Sequence, residues 1–183
     1  MAQLLHLNGP PGIGKSTVAR RYAAAHPGVL VCDVDALRTL IGGWQDDFGA
    51  AGALIRPAAL AMIGAYLEGG HDVVFPQLLM DPAEVTRFEA CAHAAGAAFV
   101  ERFLMDDAAT SVARFHRRGA DDRDDPWHDR VRLIVAEQGG DAALAGWHAD
   151  LVRLLAERPA ARVIHSAEGD VEGTFRRLIA SLE

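Results

Sequence analysis

Cysteine is scarce in this chain: Cys32 and Cys91 are the only two among 183 residues. Two cysteines in separate apolar segments build neither a disulfide framework nor a metal site, and they read as buried free thiols. Long hydrophobic runs are also missing. The longest apolar region, residues 50–67, is interrupted by Arg56 and Pro57, short of the ~18 residues that a membrane helix needs. The eight histidines show no paired metal-ligand spacing. No internal repeat stands out, and low complexity amounts to a general richness in alanine. Positive charge is in deficit, with 18 Lys and Arg against 25 Asp and Glu and a formal net charge of −7. That balance weighs against a long nucleic-acid partner, which needs clustered cations to neutralise phosphates. The first strand follows the N-terminus too closely for a leader peptide. A place in a reducing cytoplasm, away from membranes, is expected. What remains is a chain that is 50% hydrophobic and 23% charged, of a length that suits one domain, residues 1–183, with a substantial core. Oligomeric state has no sequence signal.

Strand-like and helix-like runs alternate along the chain. Leu4–Leu7, Val29–Cys32, Asp72–Phe75, Ala97–Phe103 and Arg162–His165 are short apolar runs bounded by breakers. Between them, Val85, Phe88, Ala92 and Ala95 recur with the 3.6-residue period. Leu144, Trp147, Leu151 and Leu154 do the same, as do Val171, Phe175, Leu178 and Leu182. The alternation predicts an α/β fold, a five-stranded parallel sheet sandwiched by helices. Ligands of such sheets bind at the carboxyl edge of the strands.

At that edge, after the first strand, residues 9–17 read Gly-Pro-Pro-Gly-Ile-Gly-Lys-Ser-Thr. Gly9, Gly14, Lys15 and Ser16 satisfy the Walker A pattern G-x-x-x-x-G-K-[ST], in the strand–loop–helix setting the motif requires. The loop's N–H groups (Gly9, Pro10, Pro11, Gly12, Ile13, Gly14, Lys15, Ser16 and Thr17 span it) and the following helix end suit a phosphate chain. Lys15 is placed to bridge the β- and γ-phosphates of ATP and Ser16 to ligate Mg²⁺.

The second strand leads into Asp33-Val34-Asp35-Ala36-Leu37-Arg38. Strand alternation would aim both carboxylates at one cleft. Asp35 is then the candidate base for an acceptor hydroxyl, Asp33 the carboxylate that holds Mg²⁺ through water, and Arg38 a grip on an anionic or polar group of the substrate. One of the aspartates serving as a helix N-cap is the simpler alternative. The third strand ends Phe75-Pro76-Gln77, without the Walker B acid of many phosphate-loop enzymes. This argues against a motor-type ATPase and gives Asp33 more weight. Gln77 is either a substrate ligand or a solvated loop residue. Trp44 and Phe48, near Asp46 and Asp47, are either walls of an acceptor pocket for a ring-containing substrate or core.

The chain resembles the small P-loop kinases. Its D-x-D after the second strand is similar to that of shikimate kinase. Asp35 with Arg38 resembles the D-x-x-R of polynucleotide 5′-kinase, and the chloramphenicol phosphotransferases have a comparable aspartate. The tunicamycin-resistance protein family is resembled over most of the chain, through Asn8-Gly9 with the loop, Val74-Phe75-Pro76 with Asp81-Pro82, and Trp127. Pro10-Pro11 and an aspartate rather than glutamate at position 35 depart from that pattern. The resemblance implies a P-loop kinase fold with a helical lid, here residues 114–137. Lid arginines would close over ATP: Arg118 and Arg123 on the transferring phosphoryl group, Arg114 on the adenine. Arginines near a helix C-terminus also complement its dipole. The aspartates flanking Arg123 would receive a cationic, amine-bearing substrate or form a solvated loop. The expected function is ATP- and Mg²⁺-dependent phosphorylation of a small-molecule hydroxyl, resistance-type. A nucleoside, nucleotide or polynucleotide-end kinase is an alternative, as is a nucleotide-binding protein with little turnover.

Overall fold

The computed structural model describes residues 1–118 and 126–183. Five strands form one parallel sheet: β1 (Gln3–Asn8), β2 (Leu30–Val31), β3 (Val73–Phe75), β4 (Ala98–Met105) and β5 (Arg162–His165). Their order is β2-β3-β1-β4-β5, so β1 is central and its C-terminal end opens onto the middle of the sheet edge. Register pairs Leu5 with Val74 on one side and with Val100 on the other.

Alternation along β1 feeds two cores. Leu5 and Leu7 pack with Val74, Leu104 and Ile164 against Val18, Ala19 and Tyr22 of α1 (Lys15–Ala25) and Phe175 and Leu178 of α8 (Val171–Leu182). Leu4 faces the other way, with Val73, Phe75 and Phe103, toward α3 (Phe48–Glu68), α4 (Pro82–Ala94) and α7 (Asp141–Ala156). Phe75 and Phe88 are both buried with ring centroids 4.2 Å apart. Removing a buried aromatic of this kind costs about 3–5 kcal/mol. The remaining helices are α2 (Val34–Arg38), α5 (Ala108–Arg117) and α6 (Pro126–Glu137). A third, smaller cluster of Phe115, Val135 and Leu144 joins α5, α6 and α7.

Aspartate is the recurring helix starter. Asp33, Asp47, Asp81, Asp107 and Asp170 cap α2, α3, α4, α5 and α8 through their carboxylates. Each such cap is worth about 1 kcal/mol, and part of the acidic composition is spent this way.

Two expectations are corrected. β2 holds only Leu30–Val31, and the chain turns into α2 at Asp33. Asp35 is therefore on a helix, and strand alternation does not account for its direction. Residues 50–67 form most of a 21-residue helix, α3, despite Arg56 and Pro57. By length and hydropathy alone α3 would suffice to cross a membrane. Pro57 sits at an exposed position, where its missing N–H leaves a carbonyl to solvent rather than to the core. The opposite side of α3, Ile55, Ala59, Ile63 and Leu67, is buried in the larger core. Cys32 is buried and Cys91 half-buried, both as free thiols.

Candidate active site

Beyond the C-terminal end of β1 the chain must leave a crowded sheet edge. A Cβ at Gly9 would come within 2.3 Å of the Leu104 carbonyl oxygen, and φ there is 145°. Only glycine fits both constraints. Asn8, fully buried, fixes the exit. Its side-chain amide donates to the Leu79 carbonyl at 2.8 Å, and its oxygen accepts from the N–H groups of Leu79 and Gly9. The loop then feeds α1 through Gly14, at φ 100°, with no side-chain cap. The first N–H groups of a helix have no partner inside it. Here they face a cavity of about 790 Å³, the arrangement that suits a phosphate chain.

The far side of the loop is clamped. The Ile13 carbonyl accepts from the Ser166 hydroxyl at 2.9 Å and from the Arg114 guanidinium at 2.9 Å. Arg114 also donates to the Ser166 carbonyl and lies 3.6 Å from Asp106. Arg114 lines the cavity, and its guanidinium edge holds the loop through this clamp. Ser166 is a residue that sequence reasoning did not single out; its only signal was a place in the loop after the last strand.

Lys15, the chain's single lysine, donates to the Gly9 and Pro10 carbonyls at 2.8 and 3.0 Å. Burial lowers its pKa to about 8; Asp35 and Asp33 act against that shift and Arg118 adds to it. Asp33, Asp35 and Arg118 line the same cavity as Lys15. Gly12, Ile13, Gly14, Ser16 and Thr17 line the same cavity, as does Pro11.

Asp33 is the N-cap of α2, its Oδ1 accepting from the N–H groups of Asp35 and Ala36 at 3.1 and 3.3 Å. Its Oδ2 lies 3.9 Å from Arg20. Among the described residues no group of three His, Cys, Asp or Glu side chains could enclose a metal. A cation here would rest on Ser16, Asp33, water and the phosphates themselves, a donor set that suits Mg²⁺.

Asp35, one position into α2, stands opposite Gln77, whose amide nitrogen is 3.5 Å from Oδ1. Burial raises the Asp35 carboxyl above its usual range, while Arg38, Lys15 and the Gln77 contact pull it back and Asp33 adds to the rise. Gln77 is buried with its Oε1 unpartnered. Its main-chain carbonyl accepts from Nε2 of buried His6 at 2.9 Å, so β1 positions this loop too.

Arg38 is 4% exposed, and its Nε has no hydrogen-bond partner. Its guanidinium lies 3.9 Å over Phe48 and 5.5 Å from the ring of Trp127 on α6. Trp44 is outside the cavity lining, which corrects its placement as a pocket wall; it packs on Trp127 at 5.7 Å instead. Arg118, Trp127, His128, Val131 and Arg132 bring the end of α5 and the length of α6 to the cavity. Arg132 donates to the Arg118 carbonyl. Arg117 pairs with Glu168 at the surface. Arg123 and its flanking aspartates lie outside the described residues.

Comparison with known proteins agrees with this geometry. No functionally curated protein sequence matches the chain. Its fold is similar to that of the tunicamycin resistance protein of Deinococcus radiodurans, with a TM-score of 0.64 and 18% identity, covering 100% of this chain and 96% of that one. A gluconokinase from Sinorhizobium meliloti 1021 is similar over 99% of this chain and 91% of its own, at 18% identity and a TM-score of 0.63. A chain of the Pnkp1/Rnl/Hen1 RNA repair complex is similar over 87% of this chain and 47% of its own, at 17% identity and a TM-score of 0.68. Those likenesses establish a kinase-like P-loop fold. A family model described as AAA domain (AAA_33) matches residues 4–134, and the chain belongs to that family.

Proposed function

We propose that this protein is a phosphotransferase that uses ATP and Mg²⁺ to phosphorylate a hydroxyl of a small molecule, an antibiotic or another metabolite. One observation carries the reading: a half-buried carboxylate, Asp35, shares a cavity with Lys15, Ser16 and an uncapped helix start. With Asp33 available for the cation, a second carboxylate beside the phosphates suits proton removal from an acceptor hydroxyl better than binding alone.

When bound, ATP supplies the phosphoryl group, and Mg²⁺ offsets its charge. The loop N–H groups and Lys15 hold the phosphates. Lys15 exchanges its two carbonyl contacts for phosphate oxygens, which favours its charged form. Asp35 accepts the proton of the acceptor hydroxyl as the new O–P bond forms and the bond to the leaving diphosphate oxygen breaks. Gln77 orients Asp35 or the hydroxyl. Arg118 neutralises charge on the moving group, and α6 with Trp127 closes the acceptor side against water. Ser16 and Asp33 are the cation's protein contacts. A cytoplasmic setting, with no membrane partner, suits a nucleotide-dependent enzyme of this kind.

A second reading, a nucleotide or polynucleotide 5′-hydroxyl kinase, is favoured by Arg38 beside Asp35; the net charge of −7 opposes a long nucleic acid. Mass spectrometry of hydroxyl metabolites, antibiotics, nucleosides and oligonucleotides incubated with protein, ATP and Mg²⁺ separates these. A gain of ~80 Da on one class that is absent with Lys15→Ala identifies a kinase and its acceptor. Intact ATP binding with no gain on any class would overturn the reading.

A further inference from the structure

A histidine stands in the middle of the central strand, between leucines. His6 on β1 and Glu101 on β4 are direct cross-strand neighbours, and both are buried. Nδ1 of His6 lies 3.4 Å from Oε1 of Glu101. The other carboxylate oxygen, Oε2, accepts from Nε of Arg158 at 2.7 Å, and Arg158 reaches on to Glu89 at 2.9 Å. The rings of Phe75 and Phe99 flank His6, with centroids 5.2 and 6.1 Å away. Glu89, Arg158, Glu101 and His6 thus lead inward from the partly exposed Glu89 and Arg158 to the centre of the sheet. Apolar residues in place of a buried ion pair are often equally stable or more so, so core packing alone does not account for this pair.

The far side of the His6 ring meets the loop after β3. Its Nε2 is 2.9 Å from the Gln77 carbonyl oxygen. A carbonyl can only accept, so Nε2 carries a hydrogen. On the other side Glu101 is an anion: burial pushes its carboxyl up, but His6 and Arg158 outweigh that and hold it below the usual range. The anion draws a second hydrogen to Nδ1, and a charged donor makes the stronger bond to the carbonyl. The Gln77 N–H donates to the Phe75 carbonyl at 3.2 Å across Pro76. Leu79, two residues on, is held by Asn8 through both its N–H and its carbonyl. Residues 6 and 8 lie on one face of β1, and together they pin the loop. Gln77 is therefore fixed at both main-chain polar groups, and its buried side chain ends 3.5 Å from Oδ1 of Asp35.

We propose that His6 is a positioning residue for phosphoryl transfer: through the Gln77 carbonyl it sets the amide that orients Asp35, while Glu101 and Arg158 fix the His6 ring. This role rests on the kinase reading and deepens it. His6 is outside the cavity lining, whereas Gln77 and Asp35 are part of it. Asp35 acts on the acceptor hydroxyl, so a misplaced Asp35 costs rate rather than nucleotide affinity. The end of β1 then serves both halves of the reaction, the phosphate loop through Asn8 and Gly9 and the base through His6.

The test compares His6→Leu, His6→Gln and a double variant, His6→Leu with Glu101→Leu, on an acceptor that the parent phosphorylates. The double variant replaces the buried ion pair by apolar side chains and should melt no lower than the parent. Its kcat should fall about tenfold or more while ATP KM holds. His6→Leu alone should show the same loss, and His6→Gln, which returns an N–H donor for the Gln77 carbonyl, should recover most of it. A merely structural histidine would leave kcat untouched in the folded double variant. Should that variant not fold, His6→Gln against His6→Leu decides, and equal kcat for the two would overturn the role. Nitrogen NMR at neutral pH reads the same contact without turnover. Hydrogen on both His6 ring nitrogens is expected, with the Gln77 side-chain amide signals displaced in His6→Leu. An Nε2 without hydrogen, Gln77 signals that stay in place, or a folded double variant with the parent's kcat would overturn the role of His6. Displaced Gln77 signals in a protein that transfers phosphate to no acceptor sink the kinase reading and leave the hold of His6 on Gln77. Transfer that the double variant keeps in full sinks the role of His6 and leaves the kinase reading.

Discussion

The nucleotide end of the cavity is built from backbone and the acceptor end from side chains. At the first, the stretch from Gly12 to Ser16 presents N–H groups, and the shape is fixed by the Leu104 carbonyl beneath Gly9 and the double hydrogen bond on the Ile13 carbonyl. At the second, Arg38, Phe48 and Trp127 lie on one another, and Arg56 and Gln77 project from separate elements. A backbone cradle recognises what every nucleoside triphosphate shares. A stack of long side chains on a glycine seat, Gly52 beneath the Arg38 guanidinium, can be re-shaped by single substitutions. Generality and selectivity are thus divided between the two ends, with Asp35 between them.

One substitution made at each end sharpens the contrast. Gly9→Ala forces a Cβ to 2.3 Å from a backbone oxygen, at a φ that alanine avoids. A loss of about 2–4 kcal/mol of stability and of measurable ATP binding is expected, read by thermal melting and calorimetry. Gly52→Ala meets only the flexible end of Arg38, at 3.0 Å. Acceptor KM should rise several-fold while ATP KM and melting hold, because helix propensity offsets the crowding. If both variants lose ATP binding equally, the division between the ends is wrong.

Smaller effects follow from charge. Asp35 works as a base only when ionised, and burial raises its pKa above the usual carboxylate value. Activity should therefore fall on acidification, through a midpoint above the range of exposed aspartates, as kcat/KM against pH would record. A limb at or below that range would remove the base assignment. Lys15 offers a gentler probe, because it is the chain's single lysine. Acylation at Lys15 without nucleotide, followed by mass spectrometry, should reach half its maximal rate near pH 8, since the free amine reacts. ATP should protect it.

The same division explains what was legible in the sequence. The phosphate loop occupies nine consecutive residues, and its geometry follows from local glycine spacing and a helix start. The five-stranded parallel sheet could likewise be anticipated from alternating strands and helices, though not the order of its strands. The acceptor end draws Arg38 from α2, Phe48, Gly52 and Arg56 from α3, and Trp127 from α6, and no local period announces their meeting. α3 hid Arg56 as an interruption in an apolar run, although its four-residue spacing from Gly52 and Phe48 was there to read. Asp33 and Asp35 were found, but on the premise of a strand; the cap at Asp33 ends β2 early and aims Asp35 from a helix. The hold of Arg114 on the phosphate loop was hidden because its partners, Ile13 and Ser166, are about 100 and 50 residues away.

The central claim is that one carboxylate separates binding from transfer. The most direct measurement follows ATP binding and phosphoryl transfer together, with an acceptor in hand, for Lys15→Ala and Asp35→Asn. Lys15→Ala should weaken ATP binding and abolish transfer. Asp35→Asn should bind ATP as well as the parent, or more tightly for want of a repelling charge, and lose about 10²–10⁴-fold in kcat. Asp35→Asn that still transfers at the parent's rate would contradict the account.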